Sequence, residues 1–237
     1  MTNPAPNFIA GATWSFWLAF NKEFPTAKLG GIYNDKRGYH NTRNRNKQKW
    51  PGDYSIRLDA DNLGPPDRAA GVDLTLSDTL MRTLTNRLRS SALHPDDNRL
   101  KYLREFIGTR DSKSVYCRIA GDSRGLGQGR GEDDFSRDST HLWHIHLSIL
   151  RAYINDPKAY EAILSVLKGE TLKQWNERND DEMTKEEFLA HLQYALPRIK
   201  IDMLNEASGE RWWAGEVTNR ITATGSHWML RAIMISH

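Results

Sequence analysis

The 237-residue sequence contains one cysteine, Cys117, and no apolar run long enough to cross a membrane. A lone cysteine cannot form a disulfide within the chain, and it also excludes a zinc site built from several thiolates. A membrane-spanning helix needs about 20 consecutive apolar residues. We therefore expect no transmembrane segment, and any metal site must use histidine and carboxylate side chains.

The features of a signal peptide are missing as well. Residues 8–20 are largely apolar, but no Lys or Arg precedes them and no small-residue cleavage site follows them before Lys22. We interpret this stretch as part of the core.

The composition is that of a globular protein with a mild basic excess. Hydrophobic residues make up 38% of the chain and charged residues 27%, which is enough for one packed domain with an appendage, or for two small domains. The formal charge of +3 and the isoelectric point of about 8.9 suit an anionic polymer. Cell wall and nucleic acid both fit that description.

A histidine-rich strand is the most informative stretch. Residues 140–149 alternate in a way that predicts a β-strand, with His144 and His146 on one face and apolar side chains on the other. Two imidazoles held two residues apart on a rigid strand can bind a metal. His-x-His alone is an unspecific pattern, because two ordinary histidines give the same spacing. The metal interpretation is favoured by His141 nearby and by candidate partners upstream.

Those partners are one histidine and one carboxylate. Residues 69–76 predict a buried strand that contains Asp73, and a buried carboxylate is costly unless it is paired, hydrogen-bonded or bound to a cation. His40 lies within residues 34–50, a polar and basic stretch that we interpret as a loop around an active site. Nucleic-acid binding is the alternative, because Arg, Lys and Asn are interleaved there between aromatic residues.

The other patterns predict a mixture of helices and strands. Strands are predicted over 53–58 and 114–119, and residues 121–138 are interpreted as a Gly-rich loop. Three helices are predicted from caps and apolar stripes: one that begins at Ser77 or Asp78, a short one that carries Leu100, Leu103, Phe106 and Ile107, and one from Asp156-Pro157 to Gly169.

The order of these features resembles a known family. His40-Asn41, then Val72-Asp73-Leu74-Thr75, then His144-x-His146-x-Ser148 together resemble the M15-type zinc peptidases, which include D-Ala-D-Ala carboxypeptidases and lysostaphin-like enzymes. The resemblance covers residues 10–168 and is strongest to the form found in bacteriophage endolysins. It implies a small α+β fold in which an antiparallel sheet carries the zinc site.

The resemblance also implies a role for each site residue. Zn²⁺ would be bound by His40, Asp73 and His146, and His144 would assist catalysis. Two alternatives stay open at this point. Another carboxylate, at position 53 or 59, would replace Asp73, or His144 would bind the metal with His141 as its helper.

This ligand set predicts hydrolysis. Two imidazoles and one carboxylate leave zinc with a position for water, whose pKa falls to about 7 while the metal polarises a carbonyl. His144 would orient that water or stabilise the oxyanion. From the resemblance, the substrate is a peptide bond of bacterial peptidoglycan, with Arg43, Arg45 and Arg57 as candidates to contact its carboxylates.

The predicted organisation is a peptidase domain over 1–168, a linker over 169–183 and a C-terminal helical segment over 184–237. The last segment begins with a capping-box pattern, and its tryptophans and aliphatic residues are too many for it to bury alone. We therefore expect it to dock, to self-associate or to bind a virion partner.

The resemblance sets the expected location and the alternatives. The protein is expected in the host cytoplasm until lysis, or in a virion, and to act on the cell wall without a nucleic-acid partner. The main alternative is a non-enzymatic bacteriophage virion or tail protein with a peptidase-like fold. A metal-dependent nuclease is the third possibility.

Overall fold

A five-stranded antiparallel sheet forms the centre of the computed structural model, which describes residues 1–120, 126, 139–180, 203–204 and 211–212. Its strands are β1 (Lys28–Gly31), β2 (Gly71–Thr75), β3 (Leu103–Thr109), β4 (Val115–Ile119) and β5 (His144–Ile149), in the spatial order β1-β2-β5-β3-β4. The helices are α1 (Gly11–Glu23), α2 (Arg43–Lys49), α3 (Asp78–Leu93), α4 (Pro157–Lys168) and α5 (Leu172–Asp180). The predicted α+β class with an antiparallel sheet is confirmed.

The two faces of the sheet differ in chemistry. Because side chains alternate along a strand, Ile145, Leu147 and Ile149 of β5 lie on one face and belong to the main hydrophobic core. The opposite face of the same strand carries His144, His146 and Ser148. All six residues are buried. In β5 the polar face is therefore buried as well as the apolar one.

Helices α3 and α4 form where their caps and stripes predict. Asp78 begins α3 after Ser77, and its apolar stripe of Met81, Leu84 and Leu88 is fully buried. In α4, the Asp156 carboxylate accepts a hydrogen bond from the Lys158 amide at 2.9 Å, and Gly169 ends the helix in the left-handed conformation (φ 83°). The core prediction for residues 8–20 is also confirmed, since α1 buries aromatic side chains there.

Three sequence predictions are wrong in secondary structure. Residues 103–109, predicted as part of a helix, form β3, because a strand buried along its whole length shows no polar alternation that would reveal it. The predicted strand over 53–58 contains a 3-10 turn, Tyr54–Ile56, capped by Asp53. The predicted loop over 34–50 contains α2, whose first turn is capped by the Thr42 hydroxyl.

The chain divides into two compact units, Met1–Trp175 and Asn176–His237. Helix α5 lies within the predicted linker 169–183. In the predicted helical segment 184–237, the four described residues form two short antiparallel strands instead, β6 (Met203–Leu204) and β7 (Arg211–Trp212). The capping-box helix and the predicted loop 121–138, apart from residue 126, lie outside the described residues.

Within the described part of the chain, no helix has both the length and the apolar character needed to cross a bilayer.

Candidate metal centre

Two central strands and one loop bring three metal-binding side chains together. Strands β2 and β5 pair so that Asp73 lies opposite His146 and Thr75 lies opposite His144. His40 comes from the loop after β1. The carbonyl of Tyr39 accepts hydrogen bonds from the amides of residues 70 and 71, at 2.8 and 2.9 Å, which fixes this loop at the start of β2.

The three donor atoms lie at the spacing of a metal site. His40 Nε2 lies 3.2 Å from His146 Nδ1 and 3.1 Å from Asp73 Oδ2, and His146 Nδ1 lies 2.8 Å from Asp73 Oδ1. Donors about 2.0–2.1 Å from a tetrahedral zinc ion are about 3.3 Å apart, so small movements would admit the ion. His40, Asp73 and His146 are therefore a group that could hold a metal ion.

Two glycines make room for this group. A Cβ atom on Gly71 would lie 3.1 Å from the His40 ring, and a Cβ atom on Gly30 would lie 2.8 Å from the Asp73 Cβ atom. Real Cβ atoms rarely approach other atoms so closely. The close packing of His40 and Asp73 therefore depends on glycine at both positions.

The hydrogen bonds of His40 orient its lone pair. Its Nδ1 lies 3.0 Å from the carbonyl oxygen of Ile32. A carbonyl only accepts, so Nδ1 carries the proton and Nε2 presents its lone pair to the other two donors. A backbone carbonyl commonly fixes metal-binding histidines in this way.

The electrostatics of the group favour an ionised Asp73. Burial opposes ionisation, but the hydrogen bond from His146 and the contact with the His40 ring outweigh it and hold the pKa of the Asp73 carboxyl well below its usual range. Burial likewise opposes the charged form of His146, yet the hydrogen bond to Asp73 raises the pKa of that imidazole. A proton on His146 would neutralise Asp73, and a divalent cation can take the place of that proton.

His144 lies beside the group without belonging to it. Its Nε2 is 3.6 Å from Asp73 Oδ1, and burial lowers its pKa although the Asp73 charge opposes that shift. The Trp143 ring packs against it with the centroids 4.6 Å apart, and the His141 ring is 4.8 Å away. Burial therefore favours the neutral form of the His144 imidazole, which lies beside the group.

Two side chains of the group are partly exposed to solvent. The side chains of His40 and Asp73 are 14% and 21% exposed, whereas those of His144 and His146 are buried. Solvent can therefore reach His40 and Asp73.

The structure separates the predicted site residues from their alternatives. Asp53 accepts a hydrogen bond from the Ser55 amide at 3.0 Å as a cap, and Asp59 is exposed in another 3-10 turn. Neither belongs to the group of His40, Asp73 and His146. Of the two strand histidines, His146 is the one whose nitrogen joins His40 and Asp73.

The predicted arginines have other partners. Arg43 donates to the carbonyls of residues 63 and 64, and Arg57 donates to the carbonyl of Gly52. Arg45 donates to the Tyr33 hydroxyl at 2.6 Å and to Asp35 at 2.9 Å. These contacts organise the loops around the site.

The sequence predictions missed Glu105. This carboxylate is buried on β3 and bonds to Ser148, which in turn contacts His146. A charged residue inside an apolar run was the sign of Glu105 in the sequence. That run was predicted to be a helix, however, so Glu105 was not placed on a strand beside the histidines.

Comparison with known proteins adds no relative. No family model, curated protein or solved structure matches the chain.

Proposed function

We propose that the chain is a zinc-dependent peptidase that hydrolyses a peptide bond of bacterial peptidoglycan, as the M15-type resemblance implies. The observation that carries the proposal is the convergence of His40, Asp73 and His146, with the neutral imidazole of His144 beside them.

The donor set supports a catalytic rather than a structural metal. Structural zinc sites usually have four protein ligands, whereas three ligands of the His₂-carboxylate type leave a position for substrate or water. A bound zinc ion would supply Lewis acidity toward a carbonyl and would lower the pKa of a water ligand to about 7.

His144 is suited to carry a proton from the attacking water to the leaving nitrogen. In amide hydrolysis, a water oxygen bonds to the carbonyl carbon, the C–N bond breaks and the leaving nitrogen takes a proton. A neutral imidazole accepts the proton that the water loses and returns it to that nitrogen. Burial lowers the pKa of His144 and so favours the neutral ring, and its Nε2 lies 3.6 Å from Asp73 Oδ1.

The contacts made by the basic residues of the stretch 34–50 favour this proposal over a nuclease. Arg45 and Lys49 both pair with Asp35, at 2.9 and 3.2 Å, and Arg43 is buried against backbone carbonyls. Less positive charge is therefore available for phosphates than the sequence alone indicates.

The test is metal content followed by wall digestion. The purified full-length chain is incubated with zinc, and elemental analysis is expected to give about one zinc per chain. The protein is then added to purified peptidoglycan, and mass spectrometry of the soluble products identifies the bond that is cut.

Two variants make the test specific. His146→Ala is expected to lose both the zinc and the digestion. His94→Ala, the same change at an exposed histidine, should keep both. A chain that binds no zinc overturns the proposal and favours the non-enzymatic phage protein. A chain that binds zinc but releases no fragments from peptidoglycan overturns the substrate assignment.

A further inference from the structure

A buried chain of hydrogen bonds lies behind His146, on the side away from Asp73. His146 Nε2 is 2.8 Å from Ser148 Oγ, and Ser148 Oγ donates to Glu105 Oε1 at 2.8 Å. The exposed fractions of His146, Ser148 and Glu105 are 6%, 0% and 2%. Strands β3 and β5 hold the three together, since Glu105 lies opposite Ser148 and Ile107 lies opposite His146.

The direction of these bonds follows from the chemistry of each group. A serine hydroxyl has one proton, and here the Glu105 carboxylate accepts it. Ser148 Oγ can then only accept from His146, so His146 Nε2 carries a proton. The lone pair of the neutral ring is consequently on Nδ1, the nitrogen that lies 2.8 Å from Asp73 and 3.2 Å from His40.

The charge of Glu105 further favours His146 Nδ1 as a metal ligand. Asp73 supplies one negative charge to a site that would hold a divalent cation. Glu105, whose Oε1 lies 3.9 Å from His146 Nε2, supplies a second negative charge. A buried carboxylate that is hydrogen-bonded toward a metal-binding imidazole strengthens the imidazole as a donor.

We propose that Ser148 and Glu105 are positioning residues that fix the Nδ1-donor tautomer of His146 for metal binding. The inference rests on the proposed metal site. Neither residue touches the substrate or the reacting atoms, so their effect is on the affinity for the metal and on the geometry of His146.

The test compares zinc affinity in four full-length proteins by competition with a chromophoric chelator. Ser148→Ala removes the acceptor for Nε2 and is expected to weaken zinc binding about 10–100-fold. Glu105→Gln keeps an acceptor oxygen but removes the charge, and a smaller loss, about tenfold, is expected. Ser165→Ala removes another buried serine hydroxyl, one that donates to Ala162 on α4, and should bind zinc like the unmodified chain.

A second measurement separates positioning from simple packing. In the zinc-bound protein, ¹⁵N NMR of the histidine rings should give His146 as metal-bound at Nδ1 with a slowly exchanging proton on Nε2. Ser148→Ala should lose that slow exchange, whereas Ser165→Ala should keep it.

The outcomes distinguish the two proposals. If the unmodified chain binds no zinc, the metal site itself fails. If it binds zinc and both Ser148→Ala and Glu105→Gln bind equally tightly, the metal site stands and the positioning role is overturned. Should Ser148→Ala fail to fold, Glu105→Gln decides the outcome by the same criterion.

Discussion

Two buried polar clusters lie next to each other in the first unit, and they satisfy their charges in different ways. One is the metal group of His40, Asp73 and His146. The other, which we call the tyrosine network, consists of Tyr39, Asp61, Arg104 and Arg151. The neighbouring residues Tyr39 and His40 belong to different clusters, so one loop supports both.

The tyrosine network is neutralised by the chain itself. Tyr39 donates its hydroxyl proton to Asp61, and Arg104 Nε lies 3.3 Å from the same carboxylate oxygen. The Arg151 guanidinium lies over the Tyr39 ring, 5.3 Å from its centroid, and donates to the carbonyls of residues 68 and 41. Burial, with the Asp61 charge second, raises the pKa of Tyr39 well above its usual value.

In the metal group, no guanidinium or ammonium group from the described residues pairs with the Asp73 carboxylate. Asp73 is surrounded by imidazoles, at 2.8, 3.1 and 3.6 Å, and an imidazole, unlike a guanidinium, can bind a metal through a ring lone pair. A carboxylate that is paired with Arg is not available to bind a metal. Next to imidazoles, a carboxylate can bind a cation that replaces the imidazole protons. The tyrosine network is therefore closed by its own ion pair and hydrogen bonds, whereas the metal group is the proposed site of chemistry.

The same substitution in each cluster tests this difference most strongly. Asp73→Asn should abolish stoichiometric zinc binding, because it removes the only anionic ligand of the group. Asp61→Asn should keep the zinc but lower the free energy of unfolding by about 3–5 kcal/mol, because it leaves a buried cation without its partner. Elemental analysis and denaturant unfolding in excess chelator measure the two effects. Equal zinc content in both variants would contradict the assignment.

His144 should affect turnover without affecting the metal. We expect His144→Ala to retain zinc and to lose about 10²–10⁴-fold in the rate of peptidoglycan hydrolysis, the range for a group that transfers protons. Zinc content and digestion rate are measured on the same preparation. Loss of the metal together with the activity would instead make His144 a ligand.

Substitution of Gly71, the glycine packed against His40, should have a smaller effect on zinc affinity. Gly71→Ala puts a Cβ atom 3.1 Å from the His40 ring, so the ring must move by a few tenths of an ångström. We expect zinc affinity to fall about tenfold, or about 1.4 kcal/mol, with the fold retained. Gly11→Ala is the control, since a Cβ atom there has no neighbour within 4 Å. Unchanged affinity in Gly71→Ala would mean that His40 is not held by this contact.

The pH dependence of zinc binding should be the mildest effect. A ligand imidazole must be neutral, and the hydrogen bond to Asp73, acting against burial, raises the pKa of His146 above 6.5. Protons therefore compete with zinc from a higher pH than at an ordinary histidine. Affinity should fall about tenfold per pH unit below that pKa, with about one proton released on binding. Calorimetry in buffers of different ionisation enthalpy counts that proton, and binding without proton release would contradict the prediction.

Local patterns in the sequence were sufficient for several elements. The caps and apolar stripes of α3 and α4 predicted both helices, and the alternation of β5 placed His144 and His146 on one face. Asp73 was recognisable because a carboxylate inside a buried strand needs a cation or a hydrogen bond. These signals are local, since propensity, capping and alternation act over a few residues.

The tertiary structure decided how those elements combine. The antiparallel register of β2 and β5 sets Asp73 opposite His146, and a loop held by backbone hydrogen bonds at Tyr39 brings in His40. It also made residues 103–109 a strand and placed Glu105 behind Ser148. Strand pairing and burial between neighbours depend on residues far away in the chain, so local patterns alone could not bring these ligands together or place Glu105 on a strand behind Ser148.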